Sequence, residues 1–288
     1  MNILTFDIEE WYLESIKYGR KEKFQEFDRL LKEILAVLDE TATKATFFCL
    51  GKIASDFPEI VKLIESKGHE IGCHSNKHLW LTKMNSKELL EDTNEAIDSL
   101  QQLIGKKVLS YRAPAFSITA KNKEALEILS RCGIERDASI FPLVRDFGGF
   151  PEFKAKEPVV ISYNGIEIKE FPISPTKILG KEFAYSGGGY FRFFPYKFIK
   201  NKINNSDYSM TYFHIGDLIS EKQKLLSRVE YENYFKEEGT ILNRYKRYIK
   251  SNIGTSNACE KLFRLIREFD FVNIGQADAL LQYKKISI

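Results

Sequence analysis

The chain has 288 residues, 43% of them hydrophobic and 29% charged, and its net charge is +3. That is enough apolar material for one large domain or two small ones, and the charge is too balanced to point to nucleic acid. Cys49, Cys73, Cys132 and Cys259 form no CxxC pair, so they read as reduced thiols of a cytosolic protein rather than as a disulfide framework.

The opening MNILTFDIEE has no basic segment followed by an apolar run, and no stretch reaches bilayer length. A cytoplasmic protein with no membrane span is expected. Strand and helix signals then alternate. Strands are predicted at 2–8, 44–51, 69–75, 108–114 and 134–140, and helices at 24–40, 58–68, 85–105 and 119–133. Pro58 opens one helix, Asn85 or Ser86 caps another, and Gly68 and Gly105 mark stops. This order predicts an α/β fold, a parallel sheet or (β/α) barrel with helices outside.

Beyond residue 140 the pattern loosens. Asn164–Gly165 inside 159–171 predicts a hairpin, and 208–216 predicts a strand. Residues 258–283 read as helix, strand, helix. The simplest account is one domain over 1–288, with insertions near 143–170 and 217–255. RYKRYIK at 244–250 reads as a solvated helix face.

In such folds chemistry gathers at the carboxyl ends of strands. On the first strand, Thr5, Asp7 and Glu9 share one face, while Leu4, Phe6 and Ile8 point toward the helices. Two acids thus meet at the strand tip, with Glu10 beside them. His74 and His78 lie four apart in GCHSNKH, a spacing that on a helical turn converges two imidazoles on one metal. Arg112 ends a fourth strand, where it would pair with the acids of the first and hold one ionised. Asp137 lies in the fifth strand and His214 closes the strand near 212. His69 opens a strand and reads as structural.

In this order, TFDIE, HSNKH, YRAPAF, RDASIF and FHIGD resemble the five motifs of the polysaccharide deacetylases, carbohydrate esterase family 4. ATFFCLG and GHEIGCH resemble the same family's framework, and YRAPAFSIT, ASIFP and GGGY resemble its branch found with exopolysaccharide gene clusters. The likeness runs from residue 2 to about 216. It implies a distorted (β/α)7 barrel that holds one divalent metal, usually zinc, and removes acetyl groups from N-acetylated sugars or oligosaccharides. By the same resemblance Asp7 is the catalytic base, Arg112 its tether and His214 the general acid, while His74 and His78 bind metal. Asp137, the acid of the fourth motif, would orient or charge His214, or pair with Arg112.

The first motif departs from the family pattern: Ile8 stands where a second aspartate is usual. The metal carboxylate must then come from Asp7, Glu9 or Glu10, with Glu9 preferred because it shares a face with Asp7. The fourth motif lacks its tryptophan, and Tyr212 and Phe213 stand where leucine usually precedes the last histidine. The backbone after Pro114 is expected to offer an oxyanion N–H. Phe116, Tyr190 and Trp80 are candidates for stacking on sugar rings, and Gly188, with Gly187 and Gly189, for close approach to substrate. Two other readings are a metal-dependent hydrolase of a small linear amide or ureide, and a non-catalytic carbohydrate-binding protein.

Overall fold

The structure is a computed structural model and describes residues 1–17, 21–145, 148–220, 224–235 and 237–288. The parts of the two expected insertions at 146–147, 221–223 and 236 lie outside the described residues. Five strands follow one another with helices between them: β1 (Asn2–Ile8), β2 (Thr46–Cys49), β3 (Glu70–Cys73), β4 (Ser110–Tyr111) and β5 (Arg136–Asp137). Then come the hairpins β6 (Val159–Tyr163) with β7 (Ile166–Glu170), and β8 (Pro175–Ile178) with β9 (Lys181–Ala184). The last strands are β10 (Ser209–His214) and β11 (Lys284–Ser287).

Among the described residues the main sheet runs β10-β1-β2-β3-β4-β5-β7-β6-β11. Its first seven members are parallel neighbours throughout. This is the expected parallel run with helices between strands, and its two ends approach each other. Tyr208 Oη donates to the Pro172 carbonyl at 2.8 Å, and the Met210 N–H donates to Ser174 Oγ at 2.9 Å. Side chains thus span the gap between β10 and the segment that follows β7, which makes a distorted barrel.

The alternation predicted for β1 holds. Leu4, Phe6 and Ile8 pack in the core shared with the helices, whereas Ile3 belongs to a second cluster inside the barrel with Phe48, Phe116, Phe141 and Met210. The helix Ser86–Ile104 has the predicted start and stop. Asn85 and Glu88 form a capping box, and Gly105 ends the helix at φ 67°. The Asn164–Gly165 turn joins β6 to β7 with both residues at positive φ, as a tight hairpin of matching twist requires.

Some elements differ from expectation. β4 and β5 keep only two residues each, and beyond β5 the Ile140 N–H donates to the Glu170 side chain at 3.0 Å. β7, inside the stretch read as an insertion, pairs with β5 and is the seventh parallel strand. The glycine-rich segment forms a short helix, Gly188–Phe193, and β8, β9 and β11 had no predicted counterpart. Among the described residues no helix is long and apolar enough to cross a membrane.

Candidate active site

Asp7 and His214 are register partners on the neighbouring strands β1 and β10, so both sit at one end of the sheet. Arg112 follows β4 at the same end and is fully buried. Its Nη1 lies 2.9 Å from Asp7 Oδ1 and 2.7 Å from Thr5 Oγ1, and its Nε donates to the Ala138 carbonyl at 3.2 Å. The guanidinium also lies over the Phe48 ring, 4.3 Å from its centre. The predicted tether between the fourth and first strands is therefore present, and Oδ2 of Asp7 is left facing His214 Nε2 at 3.7 Å.

Glu9, His74 and His78 converge. Their donor atoms all lie within 4.8 Å of one another. Glu9 Oε2 is 2.6 Å from His78 Nε2 and 3.4 Å from His74 Nε2. That oxygen is buried, and among the described residues no well-directed hydrogen bond reaches it. His74 donates its Nδ1–H to the Arg112 carbonyl at 2.7 Å, which turns the Nε2 lone pair into the site. Two imidazole nitrogens and a carboxylate around one point fit a divalent cation, and three protein ligands leave positions open for water and substrate.

The histidines do not converge on a helical turn, as the spacing suggested. They lie in a loop after β3 in which Ser75 and His78 both adopt positive φ, 66° and 57°. Ser75 Oγ accepts the His78 N–H at 3.1 Å. Asn76 anchors the loop to the helix Ser86–Ile104: its N–H donates to Asp92 at 2.9 Å and its amide to Glu95 at 2.6 Å. Asp92 and Glu95 had no role in the sequence reading, because nothing in a helix repeat marks which acid meets a distant loop.

Of the three acids at the tip of β1, Glu9 meets the histidines. Burial opposes its ionisation, but His78, His214 and His74 outweigh that and hold its pKa well below the usual carboxylate range. Glu10 turns away and accepts the Gly216 N–H at 2.6 Å. Burial, with Glu9 beside it, pushes its pKa up to about 7.

His214 donates Nδ1–H to Asp217 Oδ2 at 2.9 Å. Its Nε2 then faces Asp7 and, at 3.8 Å, Glu9 Oε1. Burial disfavours the imidazolium, yet Glu9, Asp217 and Asp7 overcome it and raise the pKa well above the ordinary histidine value. Asp217 is in turn approached by Arg192 at 3.4 Å. It was missed as a functional residue, although it closes the quoted FHIGD, three positions after the histidine.

Asp137 touches neither His214 nor Arg112 by hydrogen bond or ion pair among the described residues; this corrects both expected partners. Ser139 Oγ donates to it at 2.5 Å and itself accepts the Ala113 N–H at 2.7 Å, so the acid braces the backbone just after Arg112. Asp137 is also paired with Glu170. Burial raises both pKa values, that of Glu170 well above the carboxylate range, where the Asp137 charge beside it adds to burial. His69 is structural, as read: its Nδ1 accepts the Ala45 N–H at 3.3 Å.

A cleft of about 720 Å³ opens from His214 and Asp217, and Gly188 and Tyr190 line it. Pro114 and Phe116 do not. Phe116 is buried edge-on to Phe141 and Tyr212, which removes it as a stacking platform. The N–H groups of Phe116 and Ser117 bond within their own turn, which leaves the Ala115 N–H, of the three after Pro114, for the expected oxyanion role. Gly187 approaches β10 rather than open space: a Cβ there would lie 2.2 Å from the Tyr212 carbonyl oxygen.

Residues 3–136 match the family model described as polysaccharide deacetylase. The chain carries a polysaccharide deacetylase domain over residues 3–136. Beyond this deacetylase domain, residues 138–279 match a second model, a domain of unknown function (DUF3473). The chain is similar to a peptidoglycan-N-acetylglucosamine deacetylase of Bacillus cereus, 41% identical over 73 residues, or 25% of this chain and 26% of that one. It is also similar to a chitooligosaccharide deacetylase of Rhizobium leguminosarum bv. trifolii, 39% identical over 23% of this chain and 33% of that one. The matched region thus spans a third or less of these curated relatives. The fold is similar to that of a candidate polysaccharide deacetylase from Mycobacterium smegmatis, with TM-score 0.59 and 16% identity over 100% of this chain and 93% of that one.

Proposed function

We propose that the protein is a metal-dependent hydrolase that removes acetyl groups from an N-acetylated sugar, in the metabolism of a cell-surface polysaccharide or its cytoplasmic precursor. The observation that carries this reading is the placement of Asp7 and His214 on adjoining strands, with His214 Nε2 3.7 Å from Asp7 and 3.8 Å from Glu9 of the Glu9–His74–His78 cluster.

Glu9, His74 and His78 would hold the cation, zinc in this proposal, which when bound supplies Lewis acidity toward a water and a carbonyl oxygen. Asp7 does the base chemistry. Arg112 occupies Oδ1, so Oδ2 is the oxygen that takes a proton from water as the hydroxyl adds to the acetamide carbon. His214 does the acid chemistry. Asp217 fixes its Nδ1–H, and the opposed Nε2–H passes to the amine nitrogen as the C–N bond breaks, which releases acetate and the free amino sugar. Tyr190, Phe193 and Phe194 give the cleft aromatic walls of the kind that pack on pyranose rings.

The test is acetate release from N-acetylglucosamine oligomers of graded length, with the protein chelated and then resupplied with zinc. Turnover that is lost on chelation, restored by zinc and absent from His74→Ala supports the reading. Turnover of linear amides or ureides alone, or full activity in the chelated protein, overturns it.

A further inference from the structure

The basic run at 244–250 is left unused by this chemistry. It lies on the helix Ile241–Asn252, which begins at the Thr240 cap and buries none of its residues. Ile241, Leu242, Tyr245 and Ile249 are each between 48% and 60% exposed. At 100° per residue these four fall within one arc, with Lys246 and Lys250, both exposed, along its edge. Residues 240–253 hold Arg244, Lys246, Arg247 and Lys250 and no acid, and Arg247 lies 3.6 Å from Glu237. Large apolar side chains in water beside a run of cations describe a helix that lies in a lipid interface, where the apolar arc enters the acyl boundary and the lysines reach the headgroups.

We propose that this helix face docks the protein on an anionic lipid surface. Charge complementarity selects that occupant. A second copy would bring Lys246 and Lys250 against their own like charges, with no acid on the helix to receive them. Nucleic acid would leave the isoleucines without apolar cover. The face is also continuous with the cleft, since Ile249 of the apolar arc lines the cleft beside the exposed Phe193. Arg192 ties the two together: it donates to the carbonyls of Lys250 and Ser251 at 3.1 Å and 3.3 Å and reaches Asp217. A docked helix thus places the mouth of the cleft at the membrane surface.

The test is flotation of the full chain with vesicles of phosphatidylcholine alone and of phosphatidylcholine with phosphatidylglycerol, a readout that needs no turnover and is independent of the proposed reaction. Binding to the anionic vesicles only is expected. It should weaken about tenfold in Lys246→Glu, weaken similarly in Ile241→Ser/Leu242→Ser, and fall with salt. Hydrolysis of a soluble substrate should be unchanged in these variants. No binding by the native chain, equal binding to neutral vesicles, or binding that survives both variants overturns the proposal. So does a native dimer that the apolar variant converts to monomer.

Discussion

Arg112 and Asp7 form an ion pair at 2.9 Å with both side chains out of water, which joins the end of β4 to the tip of β1 through the barrel interior. Removing one partner strands the other charge. Arg112→Met is expected to cost about 3–5 kcal/mol in urea denaturation. Arg112→Lys should recover only part of that, because an ammonium cannot serve Asp7, Thr5 and the Ala138 carbonyl from one rigid plane.

The cation site should register as stability as well as rate. Zinc at about a hundred times its Kd is expected to raise stability by about 2.7 kcal/mol. His78→Ala should lose both the shift and the bound metal, read by thermal melting and by elemental analysis.

Asp217 sets how firmly His214 keeps its proton. The acid must be protonated to act, so activity falls as pH rises through its pKa. Asp217→Asn removes an anion that raises that pKa. The alkaline limb of the pH–rate profile is therefore expected to move to lower pH, with the acid limb in place. An unmoved alkaline limb would show that another group is the acid.

His69 predicts an acid-labile fold. Burial lowers its pKa from 6.5 to about 4. Between those values the unfolded chain binds a proton that the folded chain does not, so stability is full above about pH 6.5 and declines as pH falls toward 4. Allowing for partial hydration, the loss is roughly 2 kcal/mol. His69→Asn, whose amide oxygen can accept the Ala45 N–H, should flatten that slope in melts taken from pH 7 to 4.5.

Gly187→Ala is expected to destabilise by about 3 kcal/mol, since the added methyl meets backbone and ring of Tyr212 rather than a flexible side chain. Gly189→Ala, whose Cβ would find only the tip of Arg192, serves as the control in the same denaturation series.

The sequence made legible whatever depends on period or on strand ends. The inward face of β1 followed from alternation alone, and the caps of Ser86–Ile104 from Asn85 and Gly105. Glu9 was separable from Glu10 because residues two apart share a strand face. Less legible was whatever depends on contacts between distant segments. Asp137 looked like a partner for His214 or Arg112, but Glu170 and Ser139 claim it, and Glu170 joins the barrel through β7, which carried no mark of its place. Phe116 read as a platform because sequence does not say which aromatic faces water. Asp217 was visible in the motif, but its role needed the direction of an imidazole.

The placement of β1 between β2 and β10 has a consequence for how the protein is made. β1 is synthesised before both of its neighbours, and the strand that covers its other edge follows about 200 residues later. At 5–20 residues per second the ribosome needs about 10–40 s to supply it. Through that interval the nascent chain carries an unpaired strand edge and a half-built site, so it should depend on chaperone protection until His214 emerges.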